Sequence, residues 1–213
     1  GGTLAKMEEM GNDVGILDLT NGEPTPNGDA ETRMKEAKKA EEELDISFRK
    51  TLGFSNRYLV DDVEKRTAAA EVIRTQRPQI LLTQHDKDIH PDHVASSKIG
   101  RFARFYGKLT KTDMRGEPYF VPLWLNFYSS HQRYEQQPSF VIDISSVIEK
   151  KMNAVRSYQS QLGEGSPNEG AFEWIRKYSR HWGSKIGVEY GEPFYAPETF
   201  GLNDLNSIVQ SRR

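Results

Sequence analysis

Cysteine is absent from the 213-residue chain. That excludes disulfides and thiolate ligands, and leaves His, Asp and Glu as the side chains able to hold a metal. No apolar run is long enough to cross a bilayer and no signal peptide is recognisable, so a soluble cytoplasmic protein is expected. Charge of one sign is not in excess either. The 29 basic and 31 acidic residues give a formal net charge of −2, so no strong field draws nucleic acid or an anionic membrane. A G-x-G-x-x-G fingerprint is missing, and a dinucleotide is not indicated. No internal repeat, low-complexity tract or domain boundary stands out, and one domain spanning 1–213 is expected.

What is present is organised around residues 79–93. An apolar run, Ile80 to Leu82, follows Pro78 and reads as a short buried strand. Behind it come three histidines and three aspartates within nine residues, His85 to His93, and then a helix expected from Val94. In open α/β sheets the crevice beyond the C-terminal end of a strand is where ligands bind. Imidazoles beside carboxylates serve there as metal ligands or as acid and electrostatic catalysts. The plain alternative is a solvated loop, with Asp92 as a helix cap. The pair His85-Asp86 also matches metal-dependent phosphohydrolases of the HD type, but those domains are all-helical and this pair follows a strand.

Elsewhere helices and strands alternate. A helix over 1–11 ends at Gly11 and leads into a strand over 14–20. A Gly/Pro/Asn loop, 21–28, precedes a helix capped by Asp29 and running to Leu44. Arg33, Ala37, Ala40 and Leu44 share one face of it, so Arg33 is either an arginine reaching for the surface or an anion contact in a pocket. A strand over 45–54, a helix over 61–77, and strands over 118–128 and 139–144 follow. The loop carrying His131, Arg133 and Tyr134 lines a cleft or forms a solvated hairpin. Ser146 and Glu149 match a capping box, opening a helix that carries Ile148, Met152, Val155, Gln159 and Leu162 on one face. Ala171, Ile175, Tyr178 and Trp182 mark a last helix, its aromatics belonging to the core or to a subunit interface. The expected class is α/β: a Rossmann-like, mainly parallel sheet flanked by helices. A helix that feeds an apolar strand normally belongs to a βαβ unit, and the first strand of that unit is not in the sequence. The chain is therefore expected to be N-terminally truncated.

Several segments together resemble the PIG-L/LmbE-like N-acetylglucosamine deacetylases. They are Gly1 to Lys6, Leu17 to Glu23, Glu31-Thr32-Arg33 with Glu36-Ala37, and Arg77-Pro78 ahead of His90-Pro91-Asp92-His93. Tyr158 to Gln161, Trp182-Gly183, Ile186 to Val188 and Tyr190 to Phe194 are similar to the branch that deacetylates N-acetylglucosaminyl-malate in bacillithiol synthesis. The resemblance runs over nearly the whole chain. It implies an LmbE-like fold, a zinc cofactor, a small sugar conjugate as substrate, and a homo-oligomer such as a hexamer, with neither nucleic acid nor membrane as partner. It implies hydrolysis of an acetamide by a metal-bound water. His93 would be a zinc ligand. His90 would stabilise the oxyanion or protonate the leaving amine, with Asp92 orienting it, and Arg33 and Asn56 would contact substrate. The family often has Pro-Asp where Ser55-Asn56 stands here, and some relatives have Tyr where Ala171 stands.

The family's first motif, His-Pro-Asp-Asp, supplies two ligands and the general base and belongs just ahead of Gly-Gly-Thr. It is not among the 213 residues, so the chain as written is expected to be poorly stable, to bind zinc weakly and not to deacetylate. Two alternatives remain: a deacetylase of another acetylated amino sugar, of mycothiol type for instance, and a metal-free carbohydrate-binding relic.

Overall fold

The structure, a computed structural model, describes residues 1–24, 27–129, 137–163, 165–166 and 168–204. The elements run α1 (Gly2–Glu9), β1 (Gly15–Thr20), α2 (Ala30–Glu43), β2 (Phe48–Phe54), α3 (Val63–Gln76), β3 (Ile80–Gln84), α4 (Pro91–Gly107), β4 (Leu123–Phe127) and β5 (Phe140–Asp143). A 3₁₀ turn (Ser145–Val147) then leads to α5 (Ile148–Arg156), α6 (Gln159–Leu162), α7 (Ala171–Lys185) and β6 (Gly191–Tyr195). The class is α/β, with sheets flanked by helices. Among the described residues, no helix is long and apolar enough to cross a membrane.

Local chemistry sets most boundaries. The Asp29 carboxylate accepts the Thr32 N–H at 2.7 Å and opens α2, and Asp62 accepts the Lys65 N–H at 3.0 Å and opens α3. Helix α3 stops at Arg77, left-handed at φ 50°, just ahead of Pro78. Other expectations shift. Helix α4 begins at Pro91, inside the histidine cluster, because His90 caps it. The Ser146/Glu149 box does not form. Instead Asp143 accepts from the Ser145 N–H and hydroxyl at 2.9 and 2.7 Å and winds the chain into the 3₁₀ turn. The single helix expected through Leu162 breaks after Arg156 into α5 and α6.

Strands β1 and β2 pair in parallel, as do β3 and β4. Strand β6 contains Gly191 and Pro193, residues uncommon inside strands, and no strand was expected there from the sequence. It lies antiparallel between β4 and β5, giving the order β3-β4-β6-β5. Among the described residues, β1 and β3 each pair along one edge only and the two sheets share no ladder. They share a core instead. Leu17, Leu52, Phe54 and Leu81 pack on a cluster with Ala95 and Ile99 of α4.

Gly-Gly-Thr has a packing reason. A Cβ on Gly2 would lie 2.6 Å from the buried Ile144 side chain, so only glycine lets α1 approach that closely. Glu192 of β6 then holds the head of α1. Its carboxylate accepts from the Gly2 N–H at 2.9 Å and from the Thr3 N–H and hydroxyl at 2.7 Å each, and pairs with Lys151 at 2.9 Å. Burial alone would raise its pKa. Lys151, the N-terminal amine and the Thr3 hydroxyl outweigh burial and hold it well below the usual carboxylate value. A carboxylate depressed on folding stabilises above its unfolded pKa, about 4.3, and that stability is lost as pH falls through the folded value. Glu192→Gln is therefore expected to cost about 2–4 kcal/mol at neutral pH. In urea titrations the gap to wild type should narrow below about pH 4. A gap that widens on acidification would contradict this role.

Candidate active site at the head of helix α4

The loop from His85 to His90 leaves β3 at its C-terminal end and turns into α4. His90 is the cap: its Nδ1 accepts the Asp92 N–H at 3.2 Å, with Pro91 at the first helical position. Because Nδ1 accepts, neutral His90 carries its proton on Nε2. His93 stacks on it, ring centroids 4.6 Å apart and planes 20° apart. Asp88 sits beneath both. Its side chain is fully buried, Oδ1 accepts the His90 N–H at 2.8 Å, and Oδ2 lies 3.0 Å from His93 Nδ1 and takes the Ser129 hydroxyl.

Asp92 is buried as well, and its carboxylate reaches away from His90. Oδ2 accepts the backbone N–H of Arg57 at 2.5 Å, with Arg57 left-handed at φ 69°. What Asp92 gives His90 is its backbone N–H. The carboxylate instead pins the loop after β2 against α4.

Asn56 precedes Arg57 in that loop. Its Nδ2 donates to Gly22 O at 3.3 Å and Pro24 O at 3.2 Å, and its backbone N–H donates to Glu23 O at 3.0 Å. Asn56 therefore ties the loop after β2 to the loop after β1.

Arg33 lies at the start of α2 against the same loop. Its guanidinium sits 5.3 Å from the Tyr158 ring centroid and 3.7 Å from Glu36, whose carboxylate is held by the Ser160 N–H and hydroxyl at 2.6 and 2.8 Å. Arg33 Nε is buried without a partner. Gly22 packs over it at φ 79°, where a Cβ would come within 3.3 Å of that nitrogen. A buried N–H lacking an acceptor suits an arginine that meets a ligand oxygen.

His85 stands apart. It is 1% exposed, its Nδ1 accepts the Lys87 N–H at 3.0 Å, Tyr128 and Tyr195 flank its ring, and burial pushes its pKa down. A cavity of about 210 Å³ opens beside it toward Arg101 and Trp124, and neither His90 nor His93 lines it. His131, Arg133 and Tyr134 lie outside the described residues. Sequence reasoning counted Asp88 within the histidine cluster without giving it these partners, and it passed over Ser129. An Asp two residues ahead of a His can signal a local side-chain turn, but nothing local links Ser129 to it from 41 residues away.

Zinc was the expected cofactor, and a catalytic zinc takes three protein ligands and a water. Among the described residues no group of three His, Asp or Glu is placed to hold a metal ion. Asp88 and Asp92 are both committed to hydrogen bonds. These described residues do not by themselves make a zinc site.

Residues 1–103 match the family model described as PIG-L: GlcNAc-PI de-N-acetylase. The conserved protein TT1542 from Thermus thermophilus superposes with a TM-score of 0.87 at 34% identity, over 95% of this chain and 90% of that one. The chain belongs to the PIG-L family. Diacetylchitobiose deacetylase of Thermococcus kodakarensis is similar at 29% identity over 207 residues, 90% of this chain and 75% of that protein. The same fold also appears in GalB, the 4-carboxy-2-hydroxymuconate hydratase of a Pseudomonas, at a TM-score of 0.82 and 20% identity over 96% of this chain and 92% of that one. A PIG-L-like fold therefore does not choose the reaction by itself.

The Asp92 contact is open to test. Asp92→Ala should release the Arg57 amide, and its hydrogen exchange should speed up by about tenfold or more while amides in the middle of α4 keep their protection. Unchanged exchange at Arg57 would mean that another group holds the loop.

Proposed function

We propose that this PIG-L-family protein hydrolyses the acetamide of an N-acetylated amino sugar to the free amine and acetate. N-acetylglucosaminyl-malate, of bacillithiol synthesis, is the preferred substrate, and the protein acts in the cytoplasm as a zinc-dependent homo-oligomer. The observation that carries this reading is the stacked pair His90/His93 at the head of α4, with His90 fixed as an Nε2–H donor. Amide hydrolysis adds water to the acyl carbon and breaks the C–N bond, with a proton passing to the departing amine. A neutral imidazole that presents Nε2–H is suited to a hydrogen bond on the oxyanion, because giving the proton up would require an imidazolate. Among the two roles open to His90, the cap geometry favours oxyanion stabilisation. Arg33 would take the anionic part of the conjugate through its unpartnered Nε, and Asn56 Oδ1 would accept from a sugar hydroxyl. His93 would be a zinc ligand.

A second reading, a metal-free carbohydrate-binding protein, is favoured by the ligand count alone. Zinc content separates the two. The 213-residue chain is expected to bind zinc weakly and to release no acetate. The same chain preceded by a strand ending in His-Pro-Asp-Asp is expected to bind zinc tightly and to be active. Tight stoichiometric zinc in the 213-residue chain would mean that the ligand set is misassigned, with His85 and Asp88 the first suspects.

Substrate is tested on the extended protein by acetate release. N-acetylglucosaminyl-malate should be turned over faster than free N-acetylglucosamine, and Arg33→Ala should erase most of that preference. Equal rates on both would remove the malate assignment and leave the deacetylase one. Faster release from diacetylchitobiose would move the assignment to an acetylated disaccharide.

A further inference from the structure

The cavity of about 210 Å³ beside His85 takes no part in the site at the head of α4. Its wall includes three buried side chains, Trp124, Asn126 and His85. Two of them are already engaged. The Trp124 indole donates to Thr83 Oγ1 at 2.9 Å, and the Asn126 amide donates to Thr83 Oγ1 at 2.7 Å and to Gln84 O at 3.0 Å. His85 is engaged on one side only. Its Nδ1 takes the Lys87 N–H at 3.0 Å and lies 3.1 Å from Asp86 Oδ1, whereas its Nε2 is buried without a partner. A buried polar atom left in that state is unfavourable.

The mouth carries the charge. Lys87 and Arg101 both line the cavity and are exposed, and neither side chain has an ion pair or hydrogen bond among the described residues. The Arg101 guanidinium lies 5.8 Å from the Trp124 ring centroid. Of the acids beside them, Glu198 is taken by Arg104 at 2.7 Å and Asp86 is exposed to water. Cations are therefore in excess at the mouth, and a guanidinium fork matches a carboxylate in shape as well as in charge. Tyr195 and Pro197 add apolar surface to that of Trp124. The volume falls below the roughly 300 Å³ at which drug-sized ligands begin to fit, so the occupant is compact. We propose that this cavity is a binding site, separate from the stacked imidazoles, for a small organic acid. Its carboxylate would be held by Arg101 and Lys87, and its apolar body would lie against Trp124, Tyr195 and Pro197. The site is independent of the deacetylase reading, which uses none of these residues.

Benzoate is the probe, read by the indole ¹H–¹⁵N signals of the three tryptophans. Trp174→Phe and Trp182→Phe assign them and leave Trp124 by elimination. The measurement uses the protein preceded by a strand ending in His-Pro-Asp-Asp. Benzoate should shift the Trp124 signal saturably and leave that of Trp174, on α7, in place. Arg101→Ala should weaken binding by about tenfold or more, Arg101→Lys should weaken it less, and His93→Ala should leave it unchanged. An unmoved Trp174 signal reports that each variant keeps its fold. No saturable shift at Trp124 overturns the site. So does benzoate binding that Arg101→Ala leaves untouched, or that His93→Ala removes, since the acid would then belong to the head of α4. Inorganic phosphate that binds as tightly as benzoate overturns the organic-acid assignment.

Discussion

The site depends on two buried carboxylates, Asp88 and Asp92. Asp88 gathers His90, His93 and Ser129, and Asp92 takes the Arg57 N–H. A buried carboxylate is unfavourable unless donors meet it, and the donors that meet these two belong to groups whose position matters. Through Asp88 the β3–α4 loop is fastened to the end of β4. Through Asp92 and then Asn56, the head of α4 is fastened to the loops after β2 and β1, against which Arg33 lies. Residues distant in sequence are thus brought to one end of the fold by acceptors committed to backbone and side-chain donors.

A third carboxylate does comparable work near the other end of the chain. Glu192, on β6, fixes the first turn of α1, where Gly2 is packed too closely on Ile144 for any side chain. Helix α1 is therefore set on the four-stranded sheet before β1 begins. The two sheets share no ladder among the described residues, yet α4 and the side chains of β1, β2 and β3 close one core beneath them. The histidines sit at the head of the helix that this core supports.

Much of this was legible. The alternation of apolar strands with capped helices revealed α2, α3 and β3, because Asp29, Asp62 and Pro78 act locally. Family resemblance drew attention to His90, Asp92, His93, Arg33 and Asn56 before any geometry was known. What stayed hidden depends on partners far along the chain. Strand β6 contains Gly191 and Pro193 and exists because β4 and β5 offer it edges on both sides. In place of the capping box at Ser146, Asp143 accepts from the Ser145 N–H and hydroxyl. The cap of α4 proved to be His90, a residue seldom favoured there, and the grip of Asp88 on His93 needed Ser129 to be seen. The carboxylate of Asp92 serves the Arg57 N–H, a partner 35 residues away that no local pattern marks.

The central claim is that the stacked imidazoles divide the work, His93 holding metal and His90 stabilising charge in the transition state. It is tested most directly by measuring zinc content and acetate release together for His93→Ala and His90→Ala, in protein preceded by a strand ending in His-Pro-Asp-Asp. The account predicts that His93→Ala loses the metal, whereas His90→Ala keeps stoichiometric metal and loses about 10²–10³ in rate. Metal lost from the His90 variant and kept by the His93 variant would contradict it.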